Sequence, residues 1–250
     1  MARRKIPRLR TVDKTLPLYP LNRFPKNFAF NLGREIVYVL ATKGSNVLEG
    51  SEWEKIFADC IGANWRPSNV GLDDVIFQSC AWGAKTVKSS NPFSQKKVRL
   101  ISGRNSPIYS FGESKLVDVE PNHLGSLILE IWNERVSAVR RTFKNLRTIV
   151  LIKSSDLTKL NVFEFDTVRY EPDLFEWKWN RNENLEGYSK SQMEHIFTWQ
   201  PHGSQFTIIE KVPKNSLCLE IRKPSKLKKE IVLTELGFDK SWVKIIRKNG

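Results

Sequence analysis

Cysteine, histidine and acidic residues are all scarce in this chain, and each scarcity closes off a class of function. Three cysteines in 250 residues, Cys60, Cys80 and Cys218, form an odd and widely spaced set. They argue against a disulfide framework and for a reducing interior, hence a cytoplasmic location. No CxxC or HxxxH spacing occurs, so a structural zinc site is not expected. No apolar run approaches the roughly 20 residues of a membrane span. The opening MARRKIPRLR is basic but lacks the apolar stretch and small-residue cleavage site of a secretory signal. Acids are the other deficit: 27 Asp and Glu stand against 41 Lys and Arg, a formal net charge of +14. Such a surplus says little about fold and much about partners. Nucleic acid comes first, because Lys and Arg release counterions from phosphates; an anionic membrane surface comes second.

What the chain does contain is apolar periodicity along most of its length, enough for one mixed α/β (α+β) domain with a β-rich C-terminal half. Residues 1–30 read as a basic arm, extended or loosely packed, with prolines at 7, 17, 20 and 25. Residues 31–153 read as a core, 154–222 as the β-rich part and 223–250 as a basic segment in which Trp242, Ile245 and Ile246 can dock. Helices are expected over Asn31–Thr42, Gly50–Ile61 and His123–Leu146. In the second, Ser51 is the expected N-cap with Glu54 closing a capping box, and Gly62 the stop. Strands are expected over Val98–Ser102, Pro107–Phe111, Arg147–Lys153, Val162–Val168, Phe175–Asn180, Ile196–Gln200, Phe206–Lys211 and Leu217–Arg222. Between them, Asn180–Gln192 reads as a polar loop. Trp177, Trp179 and Trp199 at strand spacing read as core, Cys60 and Cys218 as buried, and Cys80 as exposed at a turn. His195 and His202 read as structural groups or DNA contacts.

Gly71–Lys88, GLDDVIFQSCAWGAKTVK, reads as a hairpin of Leu72–Gln78 and Ala81–Lys88. Asp73 and Asp74 open its first strand and Lys85 sits inside the second. Aspartate and lysine are poor strand formers, so their presence in apolar strands has either a bland cause, one solvated face, or a chemical one. The chemical cause is a metal site, with an aspartate holding a divalent cation and a lysine orienting a water. Register decides which aspartate faces the lysine. Pairing Gln78 with Ala81 sets Asp74 opposite Lys85, and pairing Phe77 with Ala81 sets Asp73 there.

The order of a helix with Glu54, a strand opened by Asp73–Asp74 and a strand with Lys85 resembles the core of the PD-(D/E)xK nuclease superfamily, which includes most type II restriction endonucleases. In that family a helix often carries a glutamate, the next strand starts with an aspartate, and the following strand carries acid–any–lysine. Gly50–Glu54 resembles the first element, Leu72–Asp74 the second and Gly83–Ala84–Lys85 the third. The resemblance spans roughly residues 34–88. It implies a restriction-endonuclease-like central mixed sheet flanked by helices, and a Mg2+-dependent, sequence-specific double-stranded DNA endonuclease. It further implies a homodimer, a bacterial and cytoplasmic setting, and no membrane or organic cofactor. The implied metal ligands are Asp74, the carbonyl of Ala84, Asp73 and Glu54; the implied catalytic residues are Asp74, Lys85, Glu54 and Asp73. Asp74 is favoured over Asp73 because the family's aspartate commonly runs straight into an apolar triplet, here Val75–Ile76–Phe77. The departure is Gly83, where the family has Asp or Glu. Its replacement is sought in the second acid of the Asp73–Asp74 pair, in Glu54 or Glu35, or in Gln78.

DNA contacts are expected from Asn180, Arg181, Asn182, Asn184, Lys190 and Gln192, from Arg104 and Asn105, and from Lys96 and Lys97. Arg140, Arg141 and Lys144, with Arg147, are expected on phosphates, which position a protein without specifying sequence. Two other functions fit the residues: a DNA-binding protein that does not cut, favoured by Gly83, and a repair or junction nuclease.

Overall fold

The computed structural model describes residues 16–43, 45–68, 71–112 and 119–246. The architecture is mixed α+β, with five α-helices and two sheets among the described residues. Helices α1 (Phe28–Thr42) and α2 (Gly50–Ile61) precede a short antiparallel run of β1 (Asn64–Trp65), β2 (Val75–Phe77) and β3 (Cys80–Lys88). The chain then leaves through β4 (Lys97–Arg104), α3 (Pro107–Phe111) and the long α4 (Pro121–Arg140), and returns as β5 (Asn145–Lys153), parallel to β3. Strands β6 (Lys159–Asp166) and β11 (Leu217–Glu220) complete a six-stranded mixed sheet in the order β1-β2-β3-β5-β6-β11. The second sheet is antiparallel, β4-β10-β9-β8-β7, where β7 is Phe175–Trp179, β8 Leu185–Ser189, β9 His195–Gln200 and β10 Gln205–Lys211. Helix α5 (Lys229–Glu235) follows β11. No helix among the described residues is long and apolar enough to cross a membrane.

Apolar periodicity explains how these layers stack. Leu32, Ile36 and Leu40 of α1 and Trp53, Ile56, Phe57 and Cys60 of α2 recur at helical spacing and bury against Trp82, Ala84, Ile149 and Leu151 on one face of the six-stranded sheet. On the opposite face α4 is sandwiched: Leu124, Ile128, Trp132 and Val136 pack with Ala81 and Leu146 below and with Trp177, Phe197, Trp199 and Phe206 of the second sheet above. Strand β5 is therefore covered on both sides, which is why it reads RTIVLIK, continuous rather than alternating. Gly125 lets α4 approach the second sheet, because a Cβ there would fall 2.3 Å from the Trp177 indole.

A buried ion pair ties the N-terminal segment to this core. Arg147 Nη1 donates to Glu164 Oε1 at 2.8 Å, and Trp82 Nε1 donates to Glu164 Oε2 at 3.0 Å. Asn22 pairs with the Glu164 backbone through both ends of its side-chain amide, and Arg147 Nη2 reaches the Tyr19 carbonyl. The part of the expected arm that is described, from residue 16, is thus docked at Tyr19 and Asn22 over β6. Residues 1–15 lie outside the described residues.

Several local expectations are corrected. Pro107–Phe111 is a helix: Ser106 caps it, its hydroxyl accepting from the Tyr109 N–H, and Gly112 ends it in the left-handed region at φ +75°. The supposed loop Asn180–Gln192 contains strand β8, whose LEGYS pattern has few apolar residues but buries Leu185 and Gly187. Cys80 is buried and Cys218 exposed, the reverse of the expectation; Cys60 is buried as expected. Trp177 and Trp199 are core, whereas Trp179 is half-buried. Trp242, Ile245 and Ile246 remain exposed.

Candidate active site

The helix–hairpin unit brings together three of the expected residues. Helix α2 is capped by Glu49, not Ser51: Glu49 accepts from the N3 backbone, and Glu52 reaches back to the Glu49 N–H at 2.7 Å. This shift releases Glu54 from capping. Its Oε2 instead accepts from Trp65 Nε1 at 3.0 Å, and the carboxylate lies close enough to perturb both Asp74 and Lys85.

The hairpin register is neither of the two expected. Ile76 pairs with Ala81 and Val75 with Trp82, so continuation sets Asp74 opposite Gly83 rather than opposite Lys85. The cause lies at Gly83 itself. A Cβ there would meet the Gly71 carbonyl oxygen at 3.1 Å and the Leu72 Cα at 3.2 Å, both backbone atoms of the segment leading into β2. That segment crosses over β3 on the space a side chain would need, with Gly71 at φ +68°, and true pairing starts only at Val75. The glycine that stands where the resemblance expects an acid therefore packs tightly against backbone, and continuation of the ladder sets Asp74 across from it. Opposed residues of an antiparallel pair share a face, as do positions two apart on a strand. Asp74, Gly83 and Lys85 consequently look the same way.

Asp74 is 5% exposed, and its Oδ2 accepts from the Ala84 N–H at 3.1 Å. Burial pushes its carboxyl up to about 6; the Ala84 hydrogen bond and Lys85 oppose this, while Glu54 and Asp73 add to it. Lys85 is drawn below the usual lysine value by burial, with Asp74 opposing and Arg135 adding. Asp73 is engaged elsewhere: Arg66 Nη2 holds it at 2.5 Å and the Ser68 hydroxyl donates to it, fixing the loop before β2. Asp73 thus serves loop structure, and Asp74 is the acid that faces the lysine side.

The donor set fits a hard cation. A residue's N–H and C=O point to the same edge of a strand, so the Ala84 carbonyl is directed, like its N–H, toward Asp74 and beyond the paired part of β2. One buried carboxylate, one strand carbonyl and the Glu54 carboxylate offer only oxygens, and Mg2+ is typically held by one or two carboxylates with several waters retained. Among the described residues, no cluster of three or more His, Cys, Asp or Glu is close enough to hold a metal by side chains alone. Gln78, at φ +50° in the hairpin turn, and Glu35, on α1, are not part of this set.

The expected DNA contacts separate into two groups. Asn180, Arg181, Asn182 and Asn184 form the β7–β8 turn, organised by the Asn180 side chain, whose oxygen accepts from the N–H groups of Asn182 and Asn184. They lie at the same end of the second sheet as Arg104, at the end of β4. Lys96, Lys97, Lys190 and Gln192 lie at the opposite end, roughly 24 Å away along the eight-residue β4. There Lys97 and Lys211 both pair with Glu194, at 2.6 and 2.7 Å. The polar loop expected over Asn180–Gln192 is thus two turns at opposite ends of β8. Asn105 contacts nothing outside: it is fully buried, donating to the Ile128 carbonyl and accepting from Arg135. Arg147 is likewise buried in its ion pair. Arg140 Nη2 caps the Thr167 carbonyl at 2.8 Å, Arg141 pairs with Glu134 on the helix surface, and Lys144 is exposed.

The residue that sequence reading passed over is Arg135. A cation in the last turns of a helix has an ordinary explanation in the helix dipole. Here it projects from α4 to β4, donating from Nη1 to the Ser102 carbonyl at 2.7 Å and to Asn105 Oδ1 at 3.2 Å. Comparison of the chain with protein-family models, curated proteins and solved structures finds no match.

Proposed function

We propose that this chain is a Mg2+-dependent endonuclease acting on double-stranded DNA, of the restriction type, working in a bacterial cytoplasm as a homodimer. The observation that carries the reading is the buried Asp74, bonded to the Ala84 N–H and sharing a face with Lys85 beside Glu54. Their types and chain order are those of the PD-(D/E)xK resemblance apart from Gly83, and this supports the reading. The +14 charge supplies the affinity for a polyanion.

In the mechanism Asp74, the Ala84 carbonyl and Glu54 would hold the cation. When bound, Mg2+ neutralises charge on the scissile phosphate and lowers the pKa of a coordinated water. Without the cation, burial holds the Asp74 carboxyl up to about 6, so its charge develops around that pH. Burial weakens the grip of Lys85 on its proton, which suits an amine that takes a proton from the attacking water and, as the ammonium so formed, stabilises the charge developing on the phosphate. Base reading falls to the β7–β8 turn, where Arg181, Asn182 and Asn184 are of the side-chain types that pair with guanine and adenine edges. Dimerisation follows from the need to cut two antiparallel strands alike.

Plasmid cleavage in Mg2+ tests this. Wild type is expected to give discrete, reproducible fragments, with Lys85→Ala and Asp74→Ala inactive; undiminished cutting by both variants would sink the assignment. Cutting confined to mismatched or branched DNA would make it a repair nuclease. A second reading is favoured by Gly83, which carries no carboxylate and whose backbone neighbours would crowd a Cβ at 3.1 and 3.2 Å. A DNA-binding protein without catalysis predicts salt-sensitive binding and no cleavage in Mg2+ or Mn2+.

A further inference from the structure

After β11 the chain runs out into an arm that has local structure of its own. Leu227 is pinned to the body, its N–H donating to the Ala41 carbonyl at the end of α1. Beyond it, among the described residues, no hydrogen bond or ion pair joins residues 228–246 to another part of the chain. Within the arm, Gly237 follows α5 at φ +65°, Asp239 accepts from the Ser241 N–H at 2.6 Å, and Phe238 meets Trp242 edge to face. The side chains that this local structure leaves outside are apolar. Ile231, Leu236, Phe238 and Trp242 are exposed, and Ile245 and Ile246 are each 79% exposed. Apolar surface gathered in this way marks a contact with another molecule. Along residues 228–246 four lysines are offset by three acids, so the apolar stretch is nearly neutral in a chain of +14. That balance suits a protein surface better than a polyanion or an anionic membrane, which would draw on concentrated positive charge.

A surface of the same character lies open on the body. Helix α1 buries one stripe of apolar residues, yet Phe30 is 83% exposed and Val37 and Tyr38 are exposed with it. Phe30, Gly33 and Val37, together with Leu219 of β11 and Ile221 after it, wall a groove of about 400 Å3. A glycine inside a helix costs stability, and here the room it leaves is open: a Cβ on Gly33 would meet nothing within 4 Å. The arm starts beside this groove, because Ala41, where Leu227 is tied, is one helical turn beyond Val37. No residue of 228–246 lines the groove.

We infer that the arm is a dimerisation element: residues 228–246 seat on the α1–β11 groove of a second copy of this chain, which returns its own arm in the same way. Covering the six named arm side chains removes about 500 Å2 of apolar surface. Two arms and two receiving faces then bury roughly 2,000 Å2, the area of a stable, specific interface. A two-fold axis makes one contact twice, and exchange of arms about it covers both open surfaces of both copies. The inference rests on the homodimer of the proposed function, to which it gives a surface, and not on the chemistry assigned to Asp74.

Light scattering of the full chain as it leaves a size-exclusion column tests this. Wild type is expected at about twice the chain mass of 29.0 kDa. Ile245→Asp combined with Ile246→Asp on the arm, and Phe30→Asp in the groove, are each expected to weaken dimerisation at least tenfold. All three residues are exposed in the single chain, so these variants should fold. Tyr109→Asp, an exposed apolar residue on α3, should leave the dimer unchanged. Mixing the arm variant with a tagged groove variant brings one intact arm to one intact groove, and a mixed dimer should be recovered on the tag. A monomeric wild type, whether or not its arm binds phosphatidylglycerol vesicles, overturns the inference. So does a dimer indifferent to the arm variant, or one weakened equally by Tyr109→Asp. A dimer lost in the arm variant but kept in Phe30→Asp, or no mixed dimer, overturns the exchange of arm and groove. The two readings fail separately. An arm-dependent dimer that cuts no DNA sinks the nuclease and keeps the arm; cleavage by a chain that dimerises without the arm does the reverse.

Discussion

Asp74→Asn should make the protein more stable at neutral pH while removing its activity. Burial raises the Asp74 carboxyl from its usual 3.8 to about 6, against the pull of the Ala84 N–H and of Lys85. At 1.36 kcal/mol per pH unit, that step corresponds to about 3 kcal/mol of folding free energy lost once the group is ionised. With Asp74 only 5% exposed, solvent screens little of it, and about 3 kcal/mol stands as the upper bound. Asparagine keeps an oxygen to accept the Ala84 N–H and cannot ionise. The sign follows from proton binding. The folded state holds this proton more tightly than the unfolded chain, so stability falls as pH rises between about 4 and about 6. Below that window wild type and variant should unfold alike. Across it a gap should open in the variant's favour, and above it the gap should stay constant. For a chain of this size the midpoint difference at pH 7.5 would reach about 6–12 °C. Thermal unfolding from pH 4 to 8 without divalent metal measures it. Mg2+ should then raise the wild-type midpoint and leave that of the variant where it was. A variant no more stable than wild type at pH 7.5, or a gap that does not change with pH, would refute the reasoning.

Cleavage by wild type should rise with pH through about 6, as Asp74 ionises, and a pH–rate profile flat across that range would separate Asp74 from the chemistry. Gly83→Glu, which installs the acid of the PD-(D/E)xK pattern, should fail to raise activity and should cost about 1–3 kcal/mol in urea unfolding, because its Cβ meets the Gly71 and Leu72 backbone. Arg147→Met leaves Glu164 buried and unpaired, and should lower stability by about 3–5 kcal/mol and expose the segment at Tyr19–Asn22 to proteolysis. Arg181→Ala should weaken sequence-specific DNA binding about tenfold or more, at about 1–3 kcal/mol per base contact. Lys97→Ala, at the far end of the sheet and already paired with Glu194, should change that binding little; equal effects in a filter-binding assay would contradict the division of the interface.

What was legible in the sequence is what repeats locally. Helix α2 keeps the expected bounds and β5 gains only two residues at its start, because a stripe at helical spacing and an unbroken β-branched run each encode their own burial. Lys85 does stand inside an apolar strand as expected, while Asp74 lies just before β2 rather than within it. Long-range packing was not legible. Asn105 has the side chain that reads adenine and sits beside a turn, yet the Trp199 indole donates to its carbonyl and α4 covers it, so it is core. Strand β8 pairs on both sides with few apolar residues of its own, and its position comes from β7 and β9. Arg135 looked like one more cation at a helix end until β4 was laid against α4.

The hairpin shows the same division within a single motif. Its two strands could be read from residue types, but its register is set by Gly71 and Leu72 passing over Gly83, a contact that no periodicity encodes. That contact also bears on the missing acid. Had Gly83 been a neutral loss of a carboxylate, the space would remain and a substitution could refill it. Because backbone crowds it, the nuclease reading has to assign its carboxylates to Asp74, just before β2, and Glu54 on the helix, and the shift of the cap to Glu49 and Glu52 is what leaves Glu54 available. The place of Glu54 in the proposed site is therefore open to a direct test. Glu54→Gln should retain DNA binding and fold, lose only the Trp65 contact's charge, and reduce Mg2+-dependent cleavage at least tenfold, whereas unchanged cleavage would remove Glu54 from the site and leave Asp74 as its sole carboxylate.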